Sequence, residues 1–192
     1  MGKSKISDHV IFKKVKVLAS IVALMWVVEI VDLYFLKSIN LNLYGIRPRD
    51  PIGLRGVLLS PFLHAGLKHL AANTVPLLIF GGLILLRPLA DFYRVTFWSI
   101  VLSGLGVWLI APSGTVHIGA SGLVFGYFGF LVLNGYFERR PSSIAVSIGI
   151  SAVYGSLIWS ALPSMPDVSW QSHFCGFIAG ALTAKRYART ER

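Results

Sequence analysis

Apolar residues fall in six blocks separated by shorter polar or basic stretches, and most blocks approach the roughly 20 residues that a helix needs to cross a bilayer at about 1.5 Å per residue. The pattern predicts spans over about Val17–Leu36, Val57–Leu86, Val95–Ile110, Gly119–Phe137, Ser142–Leu162 and Ser169–Arg186. A polar, proline-containing segment, Lys37–Gly56, separates the first two. The second block is long enough for its start to lie in the membrane interface. The fourth and sixth are the weakest apolar runs, because Gly and small or polar residues interrupt them. No repeat, low-complexity tract or linker divides the chain. The expected fold is all-α: a polytopic bundle of six transmembrane helices forming a single domain over residues 1–192, with a basic tail at 1–16 and the bundle over about 17–186.

Composition agrees with the pattern. Hydrophobic residues make up 55% and charged residues only 14%, and the mean hydropathy is +0.69, outside the range of a soluble domain. The net charge of +10 raises the question of nucleic acid, and position answers it. Lys3, Lys5, Lys13, Lys14 and Lys16 precede the first block, and Lys185, Arg186, Arg189 and Arg192 follow the last. Arg87 with Arg94, and Arg139 with Arg140, fall in two connections. With the N-terminus inside, thirteen basic residues lie on the inner side, and Lys37, Arg47, Arg49, Arg55 and Lys68 make five near the outer side. That bias is the positive-inside pattern, so the expected surroundings are a lipid bilayer, with no nucleic-acid partner and both termini in the cytoplasm. Trp108, Trp159 and Trp170 then fall near outer helix ends and Trp98 near an inner one, whereas Trp26 sits mid-span and does not fit an aromatic belt.

The first block follows basic residues as a signal peptide does, but it is about 20 residues long and lacks a small-residue cleavage site, so it reads as a retained helix. With tails this short, no further cytosolic or extracellular domain is expected. The single cysteine, Cys175, rules out an intrachain disulfide and reads as a core residue of the last helix.

Polar and ionisable residues inside a span are costly and mark function or a partner. They gather in His64-Ala-Gly-Leu-Lys-His69-Leu-Ala-Ala-Asn73, in Gly119-Ala120-Ser121-Gly122, and in His173-Phe-Cys-Gly176-Phe-Ile-Ala-Gly180. The even-numbered spans run in one direction, which brings all three groups to the outer half of the membrane. Gly122 and Gly126, and Gly176 and Gly180, have the four-residue spacing that lets helix backbones approach in lipid; Gly119 is read with them as a packing residue. If those faces meet, Ser121 and His173 come within reach as a nucleophile and its base. His69 and Asn73 share a helix face and suit donation to an oxyanion together with the Ser121 N–H. His64 is about 140° away on a continuous helix and joins them only if the helix starts irregularly, which Pro61 permits.

Together these residues resemble the rhomboid family: His-x4-His-x3-Asn at His64, His69 and Asn73, Gly-x-Ser-Gly at Gly119–Gly122, and His-x2-Gly-x3-Gly at His173, Gly176 and Gly180. The resemblance covers roughly residues 50–185. It implies a six-helix intramembrane serine protease with Ser121 as nucleophile and His173 as base, a dyad without an acid. Asn73, His69 and the Ser121 backbone would form the oxyanion hole, and His64 would lie nearby in a water-filled cavity. The substrate would be a transmembrane segment of another protein, the fifth span would act as a lateral gate, and no cofactor or metal is implied. Three positions depart from the family pattern. Leu54-Arg55 stands in for a frequent Trp-Arg and lies one residue further from His64, Leu85-Leu86-Arg87 lacks the acid of a frequent Glu-x-Arg, and Phe125 replaces a frequent tyrosine.

Competing readings are weaker. A metal enzyme using His64, His69 and His173 lacks an acidic ligand and the His-Glu-x-x-His spacing. A non-catalytic relative that binds transmembrane segments usually lacks the serine or the histidine. A transporter calls for inverted repeats or broken helices in matching halves. His117 reads as a solvated loop residue, and Glu29 and Asp32 as acids that face the bundle or snorkel outward.

Overall fold

The structure is a computed structural model that describes residues 2–36, 39–163 and 169–190. Lys37 and Arg192, and the side chains of Lys3, Lys5 and Arg189, lie outside what is described. The helices are α1 (Gly2–Phe35), α2 (Gly56–Leu59), α3 (Leu67–Ile84), α4 (Leu89–Ile110), α5 (Ser121–Glu138), α6 (Pro141–Tyr154) and α7 (Trp170–Thr190). Short 3-10 turns at Leu41–Tyr44 and Pro51–Arg55 lie between α1 and α2, another at Ser60–Phe62 lies between α2 and α3, and a longer one, Gly155–Ala161, extends α6. Among the described residues every regular element is helical, apart from one isolated bridge between Ile46 and His117. The all-α membrane bundle expected from the hydropathy pattern is what forms.

The second predicted span differs from expectation. Val57–Leu86 is not one helix but α2, a 3-10 turn at Ser60–Phe62, an irregular stretch and then α3. Pro61 sits in that turn, and Gly66 has φ +104, a backbone region open to glycine and strained for other residues. Downstream, Arg139 closes α5 in the left-handed region and donates its N–H to the Gly135 carbonyl, a C-terminal capping geometry. Pro141 at the first turn of α6 then suits a new helix start.

Among the described residues, four helical stretches are long and apolar enough to cross a membrane: His9–Phe35, α3, α4 and Pro141–Ala161. The two exceptions, α5 and α7, are the weak fourth and sixth blocks of the sequence. The reason for α5 is its position. Every residue from Ser121 to Leu131 is buried, because α5 runs through the middle of the bundle against α3, α4, α6 and α7. A helix enclosed by protein needs small residues for close packing more than it needs lipophilic ones.

Glycines set that packing. A methyl group added at Gly176 or Gly180 would collide with the carbonyl oxygens of Gly122 and Gly126, respectively. On its other side, α5 opens Gly122 and Gly126 to Ser103 and Ser99 of α4. The paired glycines therefore do not simply face each other: those of α7 ride on the α5 backbone, and those of α5 admit α4. Gly119 takes no part in this. It is a loop residue with φ +105, which corrects its assignment as a packing glycine.

Polar contacts tie the two ends of the bundle. At one end Arg87 forms a two-pronged pair with Glu138, at 2.6 and 3.1 Å, and approaches Asp91 at 3.4 Å. Glu138 also accepts from Asn134 and Ser143, Lys14 donates to the Arg87 carbonyl, and the guanidinium lies 4.8 Å from the centre of the Tyr187 ring. The carboxylate missing at position 85 thus comes from across the bundle. At the other end Arg55 stacks over Tyr44. Between the ends, the indole N–H of Trp26 donates to Thr74, which explains a tryptophan at mid-span.

Glu138 is almost inaccessible, whereas Arg87 keeps 17% of its side chain exposed. Replacing Glu138 by alanine is therefore expected to cost somewhat less than the roughly 3–5 kcal/mol seen on breaking a wholly buried pair. Thermal unfolding in detergent measures this, and the Arg87→Ala/Glu138→Ala double variant should lose less than the two single variants added together.

Candidate active site

At the end of the bundle opposite the Arg87 cluster, a cavity of about 1000 Å³ opens among the starts of α3, α5 and α7 and the α6 extension. Ser121, His173, His69, Asn73 and Phe125 all line it. Pro76, inside α3, also lines it. Lacking an N–H, Pro76 leaves the Ala72 carbonyl without its helical donor, and Ala72 lines the cavity too.

The placement of Ser121 is set by the loop before it. Gly119 donates its N–H to the Ser60 carbonyl at 2.9 Å, and Ala120 donates to His64 Nε2 at 3.3 Å. The chain then turns directly into α5, with Ser121 as its first residue and almost buried. One helical turn later, Phe125 stacks on the His173 ring, with centroids 4.1 Å apart and planes 7° from parallel. Phenylalanine therefore fills the aromatic position without the hydroxyl of the more frequent tyrosine.

His173 lies in the first turn of α7, half-buried. Its Nδ1 is 3.0 Å from both the carbonyl and the hydroxyl oxygen of Ser160. Among the described residues Nε2 has no hydrogen-bond partner, and no hydrogen bond joins His173 to Ser121.

His69 and Asn73 flank the same spot from α3. His69 Nδ1 accepts the Ala65 N–H at 3.4 Å, leaving Nε2 as the position for the ring proton. The His69 Cε1–Nε2 edge packs where a side chain of Gly119 would be, with the Asn73 amide nitrogen beside it. Asn73 Nδ2 donates one N–H to the His69 carbonyl at 3.1 Å, and an amide has a second to give.

His64 is placed otherwise than the resemblance implied. It is buried rather than in the cavity, edge-on to His69 with centroids 5.2 Å apart, and it holds the Ala120 N–H. The irregular helix start allows this. A continuous helix would have turned His64 away.

His117 is not the solvated loop residue expected. It is buried beside the cavity mouth, with Nε2 2.8 Å from Thr115 Oγ1 and Nδ1 2.7 Å from Ser169 Oγ. Burial holds its imidazole below the ordinary histidine range. Glu29 faces the bundle and is nearly inaccessible, accepting the Gly66 N–H at 2.7 Å, while Asp32 accepts from Leu41. Ser60, Ser160 and the contact role of Glu29 had no signal in the sequence, since each depends on a distant partner. Among the described residues no group of three His, Cys, Asp or Glu side chains is placed to hold a metal ion; the acceptor nitrogens of His64 and His69 are already taken by main-chain N–H groups.

Fold and site together define a helical integral membrane protein with a cavity, lined by both polar and apolar side chains, let into one end of the bundle. Residues 53–190 match the Rhomboid domain, and the chain belongs to the rhomboid family, a family of intramembrane proteases. Its similar relatives include the uncharacterized protein Rv1337 of Mycobacterium tuberculosis, 41% identical over 89% of this chain and 74% of that protein. The uncharacterized protein ML1171 of Mycobacterium leprae is 38% identical over 88% and 70%. A Bacillus subtilis protein named "Putative rhomboid protease YdcA" is 31% identical over 65% of this chain and 63% of its own length.

Gly119→Ala tests the loop. The substitution strains a backbone with positive φ and drives a methyl group against His69, so a loss of about 1–3 kcal/mol is expected. Thermal unfolding of the purified variant reads it; an unchanged midpoint would show that the loop relaxes freely.

Proposed function

We propose that this protein is an intramembrane serine endopeptidase that cuts in or near the transmembrane segment of a membrane-protein substrate. The observation that carries the reading is the stack of Phe125 on His173, one helical turn from Ser121 and at the wall of a cavity that His69 and Asn73 also line. Ser121 Oγ attacks the scissile carbonyl and passes its proton to His173 Nε2. The tetrahedral oxyanion takes hydrogen bonds from Asn73, His69 and the Ser121 N–H. His173 then protonates the leaving amine, and a cavity water hydrolyses the acyl-enzyme by the same base. The residues that do this are the chain's own, with no cofactor. His64 serves by fixing the Ala120 N–H, and through it the start of α5.

Substrate enters from the lipid past the fifth span, formed by α6 and its 3-10 extension. The charge pattern and the bacterial relatives support a bacterial plasma membrane with both termini in the cytoplasm. A relative that binds transmembrane segments without cutting them is the competing reading, and an intact Ser121–His173 pair argues against it.

Purified protein in detergent is expected to cleave a single-span model substrate. Ser121→Ala and His173→Ala should each lose at least about 10⁴-fold of activity, and Asn73→Ala about 10²–10³-fold. Chelators should leave activity intact. Cleavage that survives Ser121→Ala would sink the assignment. A wild type inert on several substrates and unlabelled by a fluorophosphonate would favour the binding-only reading.

A further inference from the structure

We infer that Ser160, on the segment that extends α6, is the positioning residue of His173; this rests on the protease reading above. Nδ1 of His173 lies 3.0 Å from the Ser160 carbonyl oxygen and 3.0 Å from Ser160 Oγ. The carbonyl can only accept. The hydroxyl has one proton, and it donates that to the Leu157 carbonyl at 2.7 Å, so toward His173 it too accepts. Two acceptors at one nitrogen require the proton to sit on Nδ1. The lone pair is thereby left on Nε2, the nitrogen free to take the Ser121 proton. Ser160 thus does with two neutral oxygens what a carboxylate does in a triad: it selects the tautomer, fixes the ring in its own plane while Phe125 fixes it face-on, and receives the N–H that strengthens when the ring becomes imidazolium.

The test uses inactivation of the full chain in detergent by a small alkyl fluorophosphonate, which reaches Ser121 through the open cavity. Ser160→Thr keeps the hydroxyl, and Ser160→Val is its isostere without one. The valine variant is expected to show a maximal inactivation rate about 2–13-fold lower than the threonine variant, the range of one net hydrogen bond. The half-saturating reagent concentration and the melting temperature should be the same in both. Equal maximal rates, a difference confined to the half-saturating concentration, or a rate loss that tracks a lower melting temperature overturns the inference. A wild type that no fluorophosphonate labels overturns the protease reading and takes this inference with it. A labelled wild type with equal threonine and valine rates overturns this inference alone.

Discussion

Gly176 and Gly180 of α7 rest on the carbonyl oxygens of Gly122 and Gly126 with no room for a methyl group between them. In lipid there is no hydrophobic drive to bring helices together, so association depends on close packing and on polar contacts. Here the packing is backbone against backbone. The contact fixes the rotation of α5 against α7, and with it two side chains that project from the starts of those helices. Phe125 stacks flat on His173 because Gly176 lets the α5 backbone and the Phe125 Cβ come close at that level. A bulkier interface would hold the same residues at the same depth but apart.

Polar groups then secure both ends of this central pair. At the cavity end, the loops are held by main-chain donors to Ser60, His64 and Glu29. At the opposite end, Arg87 and Glu138 gather α1, α4, α5, α6 and α7 around one ionic cluster. Burial of unpaired polar groups is expensive in a bilayer, and these contacts give the Gly66, Gly119 and Ala120 N–H groups of the irregular stretches their partners. The cavity sits where regular helix gives way to loop, so polar side chains line it without breaking the bundle.

Much of this was legible in the sequence because it follows from local rules. Hydropathy placed the spans, and the four-residue spacings placed His69 with Asn73 and marked the glycine faces. Pro61 hinted at the break that frees His64. What was not legible depends on partners far along the chain. Nothing near His117 distinguishes a solvated loop histidine from one held between Thr115 and Ser169. Leu85 marks a missing acid, yet the sequence does not say that Glu138, half a bundle away, supplies it. Ser160 is one of many serines until the fold brings it to His173. Gly119 is read from sequence alone with the packing glycines; its positive φ belongs to the loop and appears only in three dimensions.

The family match begins at residue 53, downstream of α1, yet α1 reaches into the loop that carries His64. Glu29 holds the Gly66 N–H, and Trp26 holds Thr74 on α3. A chain trimmed to the matched stretch keeps every motif residue but opens the Glu29 side of that loop to acyl chains, which offer no acceptor. The contacts that hold the motif residues in place therefore reach beyond the motif set itself, and the first helix supplies one to the loop after His64 and one to α3.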